Sequence, residues 1–445
     1  MFDKILIANR GEIAVRIIRT CRDMGIISVA VYSEADRDSL HVQIADESIC
    51  IGGAHSKDSY LSIERIISAA IATGAGAIHP GFGFLAENPE FAQMCNKYNI
   101  AFIGPDADTM KKMGDKIQAR QIAHKANVPI TPGSVGEAKD YNEALAVAKK
   151  TGYPLLVKAA AGGGGRGIRL VKDESELKQM YNAAKAEALA CFGDDRLYIE
   201  KCIANPRHVE IQVLADNFGN VVHLFDRDCT IQRRHQKLLE EAPSSFINDS
   251  VRNKMGECAI KIAKLCDYKN AGTVEFLVDA DRNFYFCEMN TRIQVEHPVT
   301  EEIIGIDLIK EQINIACGQK LSIKQKDIKI NGWAMECRIY AEDPANNFAP
   351  CGGTIEQMHQ PGGIGIRVDS GVYQGYTIPP FYDNMIAKLI VTADTRENCI
   401  MRMKRTISEY LFYGITTNID FHIQVLNDAN FINGNYGTDY CNDIC

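Results

Sequence analysis

The chain has 445 residues, of which 46% are hydrophobic, and a formal net charge of -8 at pH 7. A chain of this length usually exceeds what one hydrophobic core organises, so we expect two or three domains. The acidic balance, without blocks of like charge, argues against binding of nucleic acid or of an anionic membrane surface as the main function. The start of the chain leads from Asp3 and Lys4 directly into an apolar run. Neither a signal segment nor a membrane span is expected, and we predict a cytoplasmic location.

The fifteen cysteines are scattered singly and form no C-x-x-C pair. This spacing fits neither a zinc site nor a disulfide framework. We interpret most of them as small buried hydrophobic residues in a reducing compartment.

The first hundred residues predict a parallel sheet with helices on its faces. Strand patterns at 4–8 and 28–32 enclose a helix through Ile13 and Cys21, and a second unit follows with a helix near 89–96 and a strand at 100–104. Together they indicate βαβ units up to about residue 113. The first turn reads ANRGEIA rather than G-x-G-x-x-G, so a nicotinamide-dependent dehydrogenase is disfavoured.

A glycine-rich segment follows a linker near Val128 and a helical segment that ends at Lys150. The sequence AAAGGGGRG lies between strand patterns at about 155–158 and 168–172, which predicts a hairpin whose tip approaches a ligand with bare backbone. The tip lacks GK[ST], so it is no Walker A loop, but it could lie over phosphates and present N–H groups to them. The alternative is a flexible linker.

Two further hairpins and a last mixed unit complete the predicted elements. HVEIQVLAD pairs with NVVHLFDRD, and TVEFLVDADRNFYFCEMN forms the second hairpin. A helix is then predicted from His297 to Gly318. The unit from about 331 to 445 mixes strands such as WAMECRIYAE and KLIVTA with the helix TRENCIMRMKRTISEYL.

The stretch CEMNTRIQVEHP at 287–298 alternates polar with apolar or β-branched residues. In an extended chain such alternation places the polar side chains on one face, which predicts a row of five ligand-capable groups. The ordinary alternative is the solvated face of an antiparallel sheet. The five residues are Glu288, Asn290, Arg292, Gln294 and Glu296.

Two carboxylates are predicted to face each other across the same hairpin. With an even loop centred between Asp281 and Arg282, Glu275 lies opposite Glu288, and like charges at opposed positions are destabilising. A raised pKa could relieve the repulsion, as could a divalent cation, which we favour and to which Asn290 would add a third ligand. A bulge or an odd loop would defeat this inference.

A nucleoside triphosphate bound with magnesium is predicted from three features together: the glycine-rich hairpin, the isolated lysines, and the strand that carries a carboxylate and an asparagine. Arg292 could then clamp a small planar anion beside Glu296, which would serve as the base.

Several motifs resemble biotin carboxylase of the ATP-grasp superfamily: IANRGEIAVRIIR, HPGFGFLAEN, MGDK, AAAGGGGRG, PRHVEIQ, RDCTIQRRHQKLLEEAP, EMNTRIQVEHPVTE and ECRIYAEDP. The resemblance covers residues 1 to about 425. It implies that ATP phosphorylates bicarbonate to carboxyphosphate, and that carbon dioxide released from it is captured by biotin on a carrier. It also implies a multidomain α/β and α+β fold with an N-terminal parallel-sheet domain (1–113), an ATP-grasp domain (114–330, lid 131–203) and a C-terminal mixed domain (331–445).

The resemblance assigns roles to individual residues. It implies that Arg292, Gln294, Val295 and Glu296 form the bicarbonate pocket, and that Glu296 is the base. Arg338 would stabilise the biotin enolate, and Lys237 belongs with these catalytic groups. Glu275, Glu288 and Asn290 would hold Mg²⁺ or Mn²⁺. The ATP-binding set is Lys116, Lys158, Gly162, Gly163, Gly164, Gly165, Glu200, Lys201, Ile203, His208, Gln232, His235 and Lys237, with Glu275 and Glu288.

Phe82 departs from the tyrosine common in this family, so a hydroxyl near the biotin site is missing. The closest match to a biotin-accepting A-M-K-M hairpin is the segment 401–404, which lies in a helix-like run. We therefore expect a separate biotin carboxyl carrier protein and carboxyltransferase subunits, as in bacterial acetyl-CoA carboxylase, and a homodimer. Pyruvate, propionyl-CoA or urea carboxylases stay open, as do an ATP-grasp carboxylate-amine ligase and a non-catalytic nucleotide-binding subunit.

Overall fold

The structure is a computed structural model that describes residues 1–162 and 167–444. The predicted glycines Gly163, Gly164 and Gly165 therefore lie outside the described residues. The N-terminal elements are β1 (Lys4–Ile7), α1 (Gly11–Asp23), β2 (Ile27–Ser33), α2 (Leu40–Ile44), β3 (Glu47–Gly52), α3 (Ile63–Thr73), β4 (Ala77–His79), α4 (Pro89–Lys97), β5 (Ala101–Phe102) and α5 (Ala107–Gly114).

The N-terminal strands form a parallel sheet in the order β3-β2-β1-β4-β5. Its middle strands are buried on both faces because helices cover them, and β1 contributes Ile5, Leu6 and Ile7 to the core. This confirms the predicted parallel-sheet domain. The strand β3 was not predicted from the sequence. It lies at the edge of the sheet, and its first four residues are alternately partly buried and exposed.

A separate, small three-stranded antiparallel sheet carries the glycine-rich hairpin. Its elements are α6 (Lys116–Lys125), α7 (Tyr141–Thr151), β6 (Leu155–Ala159), β7 (Ile168–Val171), α8 (Glu174–Phe192) and β8 (Leu197–Lys201), with α6 leading into it. The strand order is β7-β6-β8, and α7 and α8 pack on it around a separate core that includes Leu155, Val157 and Ile199. The β6–β7 pairing confirms the predicted hairpin.

Eight of the remaining strands build one antiparallel sheet that continues across residue 330, and the other four form two separate two-stranded sheets. The central elements are β9 (Arg207–Ala215), β10 (Val221–Arg233), β11 (Gln236–Ala242), α9 (Asp249–Leu265), β12 (Asn270–Val278), β13 (Phe284–Asn290), α10 (His297–Ile304) and α11 (Leu308–Ala316). The C-terminal elements are β14 (Trp333–Tyr340), β15 (Glu342–Asp343), β16 (Ala349–Pro350), β17 (Gln357–His359), β18 (Ile366–Ser370), β19 (Met385–Ala393), α12 (Arg396–Glu409), β20 (Leu411–Tyr413), α13 (Ile419–Asn427), α14 (Ala429–Ile432) and α15 (Tyr440–Ile444). The order of the large sheet is β13-β12-β9-β10-β11-β14-β19-β18.

The two faces of β9 serve different purposes. Val209, Ile211 and Val213 pack in a core with α9, whereas the even-numbered side chains, such as His208 and Glu210, project to the opposite face, as the two-residue period requires. The pairing of β11 with β14 then joins the central strands to those of the C-terminal unit. Side chains from both units are thereby held on one rigid surface.

The β12–β13 hairpin places Glu275 opposite Glu288, as predicted. The predicted loop is wrong, because Val278 pairs with Phe284 and leaves an odd number of residues between the strands. A bulge between Glu275 and Phe276 shifts the register by one and compensates for the odd loop. Two deviations that would each have separated the carboxylates therefore cancel.

Two predicted elements are wrong in extent. The strand ends at Asn290, so residues 291–296 do not continue its extended face. The single helix predicted from His297 to Gly318 is two helices, because Gly305 has a left-handed φ of 69° and ends α10, and the Asp307 side chain caps α11 by accepting from the Lys310 N–H.

Within the ranges 1–162 and 167–444, no helix is long and apolar enough to cross a membrane. The described cysteines form no disulfide bond with one another, and those in the cores, such as Cys21 and Cys95, are fully buried.

Candidate active site

A cavity of about 1050 Å³ lies where the three parts of the chain meet. The N-terminal domain contributes its β1–α1 turn and Phe82, and the small sheet contributes Lys158. The central strands and the C-terminal unit supply most of the charged side chains. Most predicted site residues line this cavity: Lys116, Lys158, Lys201, Ile203, His208, Gln232, His235, Lys237, Glu275, Glu288, Asn290, Arg292, Gln294, Val295, Glu296 and Arg338.

The Lys237 ammonium is the centre of the charged cluster. Its Nζ donates to Glu210 Oε2 at 2.7 Å, to Glu275 Oε1 at 2.9 Å and to Glu296 Oε1 at 2.7 Å. The three donors of an ammonium are therefore all used by carboxylates. Lys237 thus joins the predicted metal ligand Glu275 to the predicted base Glu296.

Each of these carboxylates has a second cationic or ionisable partner. Glu210 accepts from Arg227 Nε at 2.6 Å, and Glu275 lies 3.0 Å from His208 Nε2. Glu296 accepts from Arg338 Nη2 at 2.9 Å, and Arg338 Nε donates to Glu240 at 2.6 Å. Arg338 therefore joins two carboxylates from different segments of the chain, Glu240 and Glu296.

Burial and charge act in opposite directions on the two central carboxyl groups. Burial alone would raise the pKa of Glu296, but Lys237, Arg338 and Arg227 outweigh it and hold that pKa well below its ordinary value. Burial likewise opposes ionisation of Glu275, and Lys237 and His208 lower its pKa strongly. The pKa of Lys237 is raised well above its usual range, because Glu210, Glu275 and Glu296 outweigh its desolvation. Both carboxylates are ionised at neutral pH.

The Glu275–Glu288 pair has oxygen donors suited to a hard divalent cation. Glu288 is 38% exposed and, among the described residues, forms an ion pair with Lys116 Nζ at 3.9 Å, whereas Glu275 already contacts Lys237 and His208. Asn290 turns its Nδ2 to Glu275 Oε1 at 2.8 Å and its Oδ1 to Arg292. Glu275 and Glu288 therefore fit Mg²⁺, and Asn290 could join them through Oδ1 after its amide turns over.

Arg292 lies at the mouth of the same region and is held by four neighbours. Its Nε donates to Glu87 at 2.9 Å and its Nη1 to Gln294 Oε1 at 2.9 Å. Gln294 also faces Glu275, and the Val295 carbonyl accepts from Lys388 Nζ at 2.8 Å. Although residues 291–296 are not a strand, they bring Arg292, Gln294 and Glu296 to one cavity.

Of the remaining residues predicted to bind the nucleotide, the small sheet places some at the cavity wall and one, Glu200, behind it. Lys158 forms a close ion pair with Glu200, which is buried and also accepts from Thr131 at 2.8 Å. Among the described residues, Glu200 and Gly162 are the two predicted ones that do not line the cavity. Lys201 lines it while its Nζ donates to the Tyr153 carbonyl at 2.6 Å.

The ribose and phosphate side predicted from the resemblance is formed by β9 and the β10–β11 turn. His208 lies next to Gln232, with 3.4 Å between His208 Nδ1 and Gln232 Nε2. His235 is exposed at the turn, where both Arg234 and His235 have positive φ, of 51° and 64°. Such a two-residue turn matches the twist of the flanking strands.

Four charged residues of the site were not predicted from the sequence: Glu87, Glu210, Arg227 and Glu240. The alternation of His208, Glu210 and Gln212 within β9 was a readable signal, since these side chains share a face. Arg227, fully buried, donates to Glu210, Gln212, Thr273 and Thr300. No local pattern marks Glu87 or Glu240, whose partners come from distant segments.

Comparisons with known proteins match family models to nearly the whole chain. The biotin carboxylase N-terminal domain matches residues 1–110, the carbamoyl-phosphate synthase L chain ATP-binding domain matches 115–324, and the biotin carboxylase C-terminal domain matches 336–443. The chain belongs to the biotin carboxylase family. Members of this family are ATP-dependent carboxylases.

Similar proteins cover the chain from end to end. Biotin carboxylase 1 of Bacillus subtilis is 55% identical over 99% of this chain and 98% of its own. A pyruvate carboxylase subunit of Methanothermobacter thermautotrophicus is 52% identical over 100% of this chain and 90% of its own.

Solved biotin carboxylases share the fold of this chain. The Campylobacter jejuni structure, described as a complex with β,γ-ATP, has a TM-score of 0.97 and 49% identity, covering 100% of this chain and 99% of its own. The biotin carboxylase domain dimer of Hydrogenobacter thermophilus 2-oxoglutarate carboxylase, described with MgADP, ADP and bicarbonate, has a TM-score of 0.95 and 49% identity over 100% and 98% of the two chains. The three-domain architecture predicted for this chain is therefore confirmed.

Proposed function

We propose that this biotin carboxylase family member uses ATP and bicarbonate to carboxylate biotin on a carrier protein, releasing ADP and phosphate. The reaction would be the first half-reaction of acetyl-CoA carboxylase, which supplies malonyl-CoA for fatty acid synthesis. The observation that carries the proposal is the position of Glu296, which lies between Lys237 and Arg338 in a cavity that Arg292 also lines. A base, an anion clamp and nucleotide-facing lysines share one site.

The nucleotide would occupy the side of the cavity formed by the small sheet. Lys116 and Lys158 would contact the phosphates, with Glu200, Lys201 and Ile203 near the base and His208, Gln232 and His235 along the ribose and phosphates. Glu275, Glu288 and Asn290 would hold Mg²⁺ or Mn²⁺, which would neutralise charge on the phosphate oxygens. The family resemblance implies that glycines 162–165 would bind the triphosphate.

Bicarbonate would bind between Arg292, Gln294 and the Val295 backbone. Glu296 would accept the bicarbonate proton while a bicarbonate oxygen attacks the γ-phosphorus and ADP leaves. The carboxyphosphate formed would divide into carbon dioxide and phosphate. In the structure Lys237 keeps the pKa of Glu296 low, so Glu296 becomes a stronger base when an anionic substrate attracts part of the Lys237 charge.

Biotin would approach Arg338 from the cavity. The phosphate released from carboxyphosphate would take the proton of the adjacent ureido nitrogen, the guanidinium would stabilise the negative charge on the ureido oxygen, and that nitrogen would then attack carbon dioxide. Arg338 is held in place by Glu240 and Glu296, both fully buried. Because a planar guanidinium needs fixed partners to present one edge, these contacts support the assignment.

The decisive experiment compares Glu296→Gln with wild type. The variant should bind ATP, measured by calorimetry, because Glu296 contacts no predicted nucleotide residue except Lys237. It should lose bicarbonate-dependent ADP release, because glutamine cannot accept the proton. Glu409→Gln, at an exposed pair with Arg405, is the matched control and should behave as wild type. Unchanged hydrolysis in Glu296→Gln would remove this residue from its role.

The reaction class is tested separately by the choice of acceptor. Free biotin with bicarbonate should support ADP release and form carboxybiotin. Turnover that needs an amine and ignores biotin would instead establish a carboxylate-amine ligase.

The metabolic pathway and the partner proteins are proposed in addition to the reaction itself. We propose a separate biotin carboxyl carrier protein, carboxyltransferase subunits of acetyl-CoA carboxylase, a homodimer and a cytoplasmic location. The similarity to a pyruvate carboxylase subunit keeps pyruvate, propionyl-CoA and other acyl-CoA carboxylases as alternatives. The segment 401–404 lies within α12, which supports a carrier on another chain or domain. Purification of the native complex and identification of its transferase would decide between them.

The domain boundaries at residues 113 and 330 and the lid at 131–203 stay predictions. The two boundaries are supported by the gaps between the matched family regions, which end at 110 and 324 and resume at 115 and 336.

A further inference from the structure

A row of buried charged residues lies behind Arg338 on the large sheet. Glu240 of β11 and Glu336 of β14 are directly opposed in the register, and Arg338 is opposed to Lys388 of β19. Residues 336 and 338 project to the same face because side chains alternate along a strand. Glu240, Glu336 and Lys388 are fully buried.

The hydrogen bonds of these two glutamates are unequal. Glu240 Oε1 accepts from Arg338 Nε at 2.6 Å. Glu240 Oε2 and both carboxyl oxygens of Glu336 have no hydrogen-bond partner among the residues that the structure describes. A buried carboxylate without a donor is costly, and two of them at opposed positions also repel each other.

The surrounding charges do not neutralise both glutamates. Arg338 is shared between Glu240 and Glu296, and Lys237 is used by its own three carboxylates. Lys388, the cation that most affects Glu336, lies 3.2 Å from Glu12 and donates to the Val295 carbonyl. Glu296 adds a further negative charge to the same region. One bound proton would remove one negative charge and join two of the three unpaired oxygens in a hydrogen bond.

We propose that Glu336 carries a proton which it shares with Glu240, and that this carboxylic acid pair is the positioning device for Arg338. The Glu336 O–H would donate to Glu240 Oε2, leaving Glu240 Oε1 to hold the guanidinium. Burial raises the pKa of Glu336 well above its ordinary value and, despite Arg338, raises the pKa of Glu240 to about 7. Since the two groups interact, the proton belongs to the pair.

The functional consequence rests on the proposed function, in which Arg338 faces biotin. With the shared proton present, the pair has one negative charge, which matches one guanidinium. Loss of the proton at alkaline pH leaves two opposed carboxylates that compete for Arg338. The presentation of Arg338 to biotin should then deteriorate, while ATP binding on the far side of the cavity is unaffected.

Two variants with side chains of similar length distinguish the effect of the proton from the effect of side-chain volume. Glu336→Gln keeps a neutral donor toward Glu240, whereas Glu336→Met removes the donor. Glu336→Gln should keep the KM for biotin within about twofold of wild type at pH 7, and Glu336→Met should raise it about tenfold because a buried acceptor loses its donor. From pH 7 to 9 the KM for biotin should rise in wild type more than in Glu336→Gln.

Two measurements without substrate report the proton itself. The infrared spectrum of wild type at pH 7.5 should contain a protonated carboxyl band that shifts in D₂O and is absent from Glu336→Gln. The free energy of unfolding should fall with pH between 5 and 7 more steeply in wild type, by about one bound proton, because a raised native pKa means that unfolding releases that proton.

Absence of the infrared difference together with equal pH slopes would overturn the proposal, as would identical KM values in Glu336→Gln and Glu336→Met. If Glu336→Met does not fold, the Glu336→Gln spectrum and slope still decide. A wild-type protein that does not carboxylate biotin would contradict the proposed function and leave the proton measurements valid.

Discussion

Replacing Lys237 by methionine tests whether one ammonium group holds the active-site carboxylates together. Methionine keeps most of the side-chain length and removes the charge. Lys237 contacts three carboxylates at 2.7, 2.9 and 2.7 Å, and its side chain is 13% exposed. The variant would leave Glu210, Glu275 and Glu296 facing one another without the cation between them.

The expected loss of stability is the lost ion-pair energy minus the desolvation cost that the lysine no longer incurs. Each ion pair gives about 4 kcal/mol at 4 Å and an effective dielectric constant of about 20, so three pairs give about 12 kcal/mol. Removing the lysine also removes its desolvation cost, which is several kcal/mol. The remaining cations Arg227, His208 and Arg338 still hold one carboxylate each. We expect a net loss of about 3–5 kcal/mol, the size found for breaking buried ion pairs.

The loss should depend on pH in a defined direction. In wild type the pKa values of Glu275 and Glu296 are lowered, so their contribution to stability is present above the unfolded-state pKa and is lost as pH falls through the folded-state pKa. Without Lys237 these pKa values rise, and protonation relieves the repulsion. The difference between wild type and variant should therefore be larger at pH 8 than at pH 5.

Urea unfolding followed by circular dichroism at pH 5 and pH 8 measures both effects. Lys201→Met is the matched control, because Lys201 lines the same cavity but donates to the Tyr153 carbonyl, a contact worth about 1 kcal/mol. A Lys237→Met protein as stable as the Lys201→Met protein at pH 8 would refute the reasoning. So would an equal loss at both pH values.

Three further predictions address biotin, the core and a domain contact. Arg338→Ala should reduce biotin carboxylation more than bicarbonate-dependent ATP hydrolysis, measured as carboxybiotin and ADP; equal losses would contradict its role. Phe276→Ala should lower the free energy of unfolding by about 3–5 kcal/mol, because Phe276 is fully buried against Phe284 and Phe286; a loss no larger than for the 54% exposed Phe218→Ala would be inconsistent with that packing. Gly371→Ala should cost about 1–3 kcal/mol, since an added Cβ would lie 2.8 Å from the Glu12 nitrogen; an unchanged melting temperature would show that the chain relaxes there freely.

Local patterns were sufficient for most of the elements that position the site. Alternation and turn residues predicted the hairpins, because the side-chain period of a strand is fixed by its backbone. The opposed Glu275 and Glu288 were predicted through a wrong loop, and a bulge, with Cys287 as the extra residue, restored the pairing. Nothing in the sequence pattern indicates a bulge at that position, so the agreement depended on a compensation that only the structure shows.

Other differences had readable causes. The break between α10 and α11 follows from glycine at 305 and a capping aspartate at 307, a stop and start signal within GIDL. The apparent strand beyond Asn290 has the polar alternation of a strand, but His297 and Pro298 begin a helix that lies directly after the turn. Period alone could not distinguish a strand from a turn that faces the same cavity.

The contacts within the Lys237 cluster could not be predicted from local patterns, because its members come from β9, β11, β12 and the turn before α10. The two-residue period of a strand places His208 and Glu210 on one face of β9. It does not determine which strand pairs with β9. The order β12-β9-β10-β11-β14 brings these faces together. The position of Glu336 behind Arg338 depends on the same order.

Under the proposed function, the geometry of Lys237 would link nucleotide binding to the strength of Glu296 as a base. Glu275 cannot hold Lys237, His208 and a divalent cation with undiminished strength, because each contact withdraws charge from one carboxylate. A magnesium ion at Glu275 and Glu288 would therefore repel Lys237, whereas triphosphate oxygens would attract it. Attraction by the triphosphate would draw Lys237 away from Glu296, which is 2.7 Å from it in this structure, and would raise the pKa of Glu296. Glu296 would then gain basicity only when the nucleotide is in place, so proton removal from bicarbonate would occur only when a phosphoryl group is available to receive it.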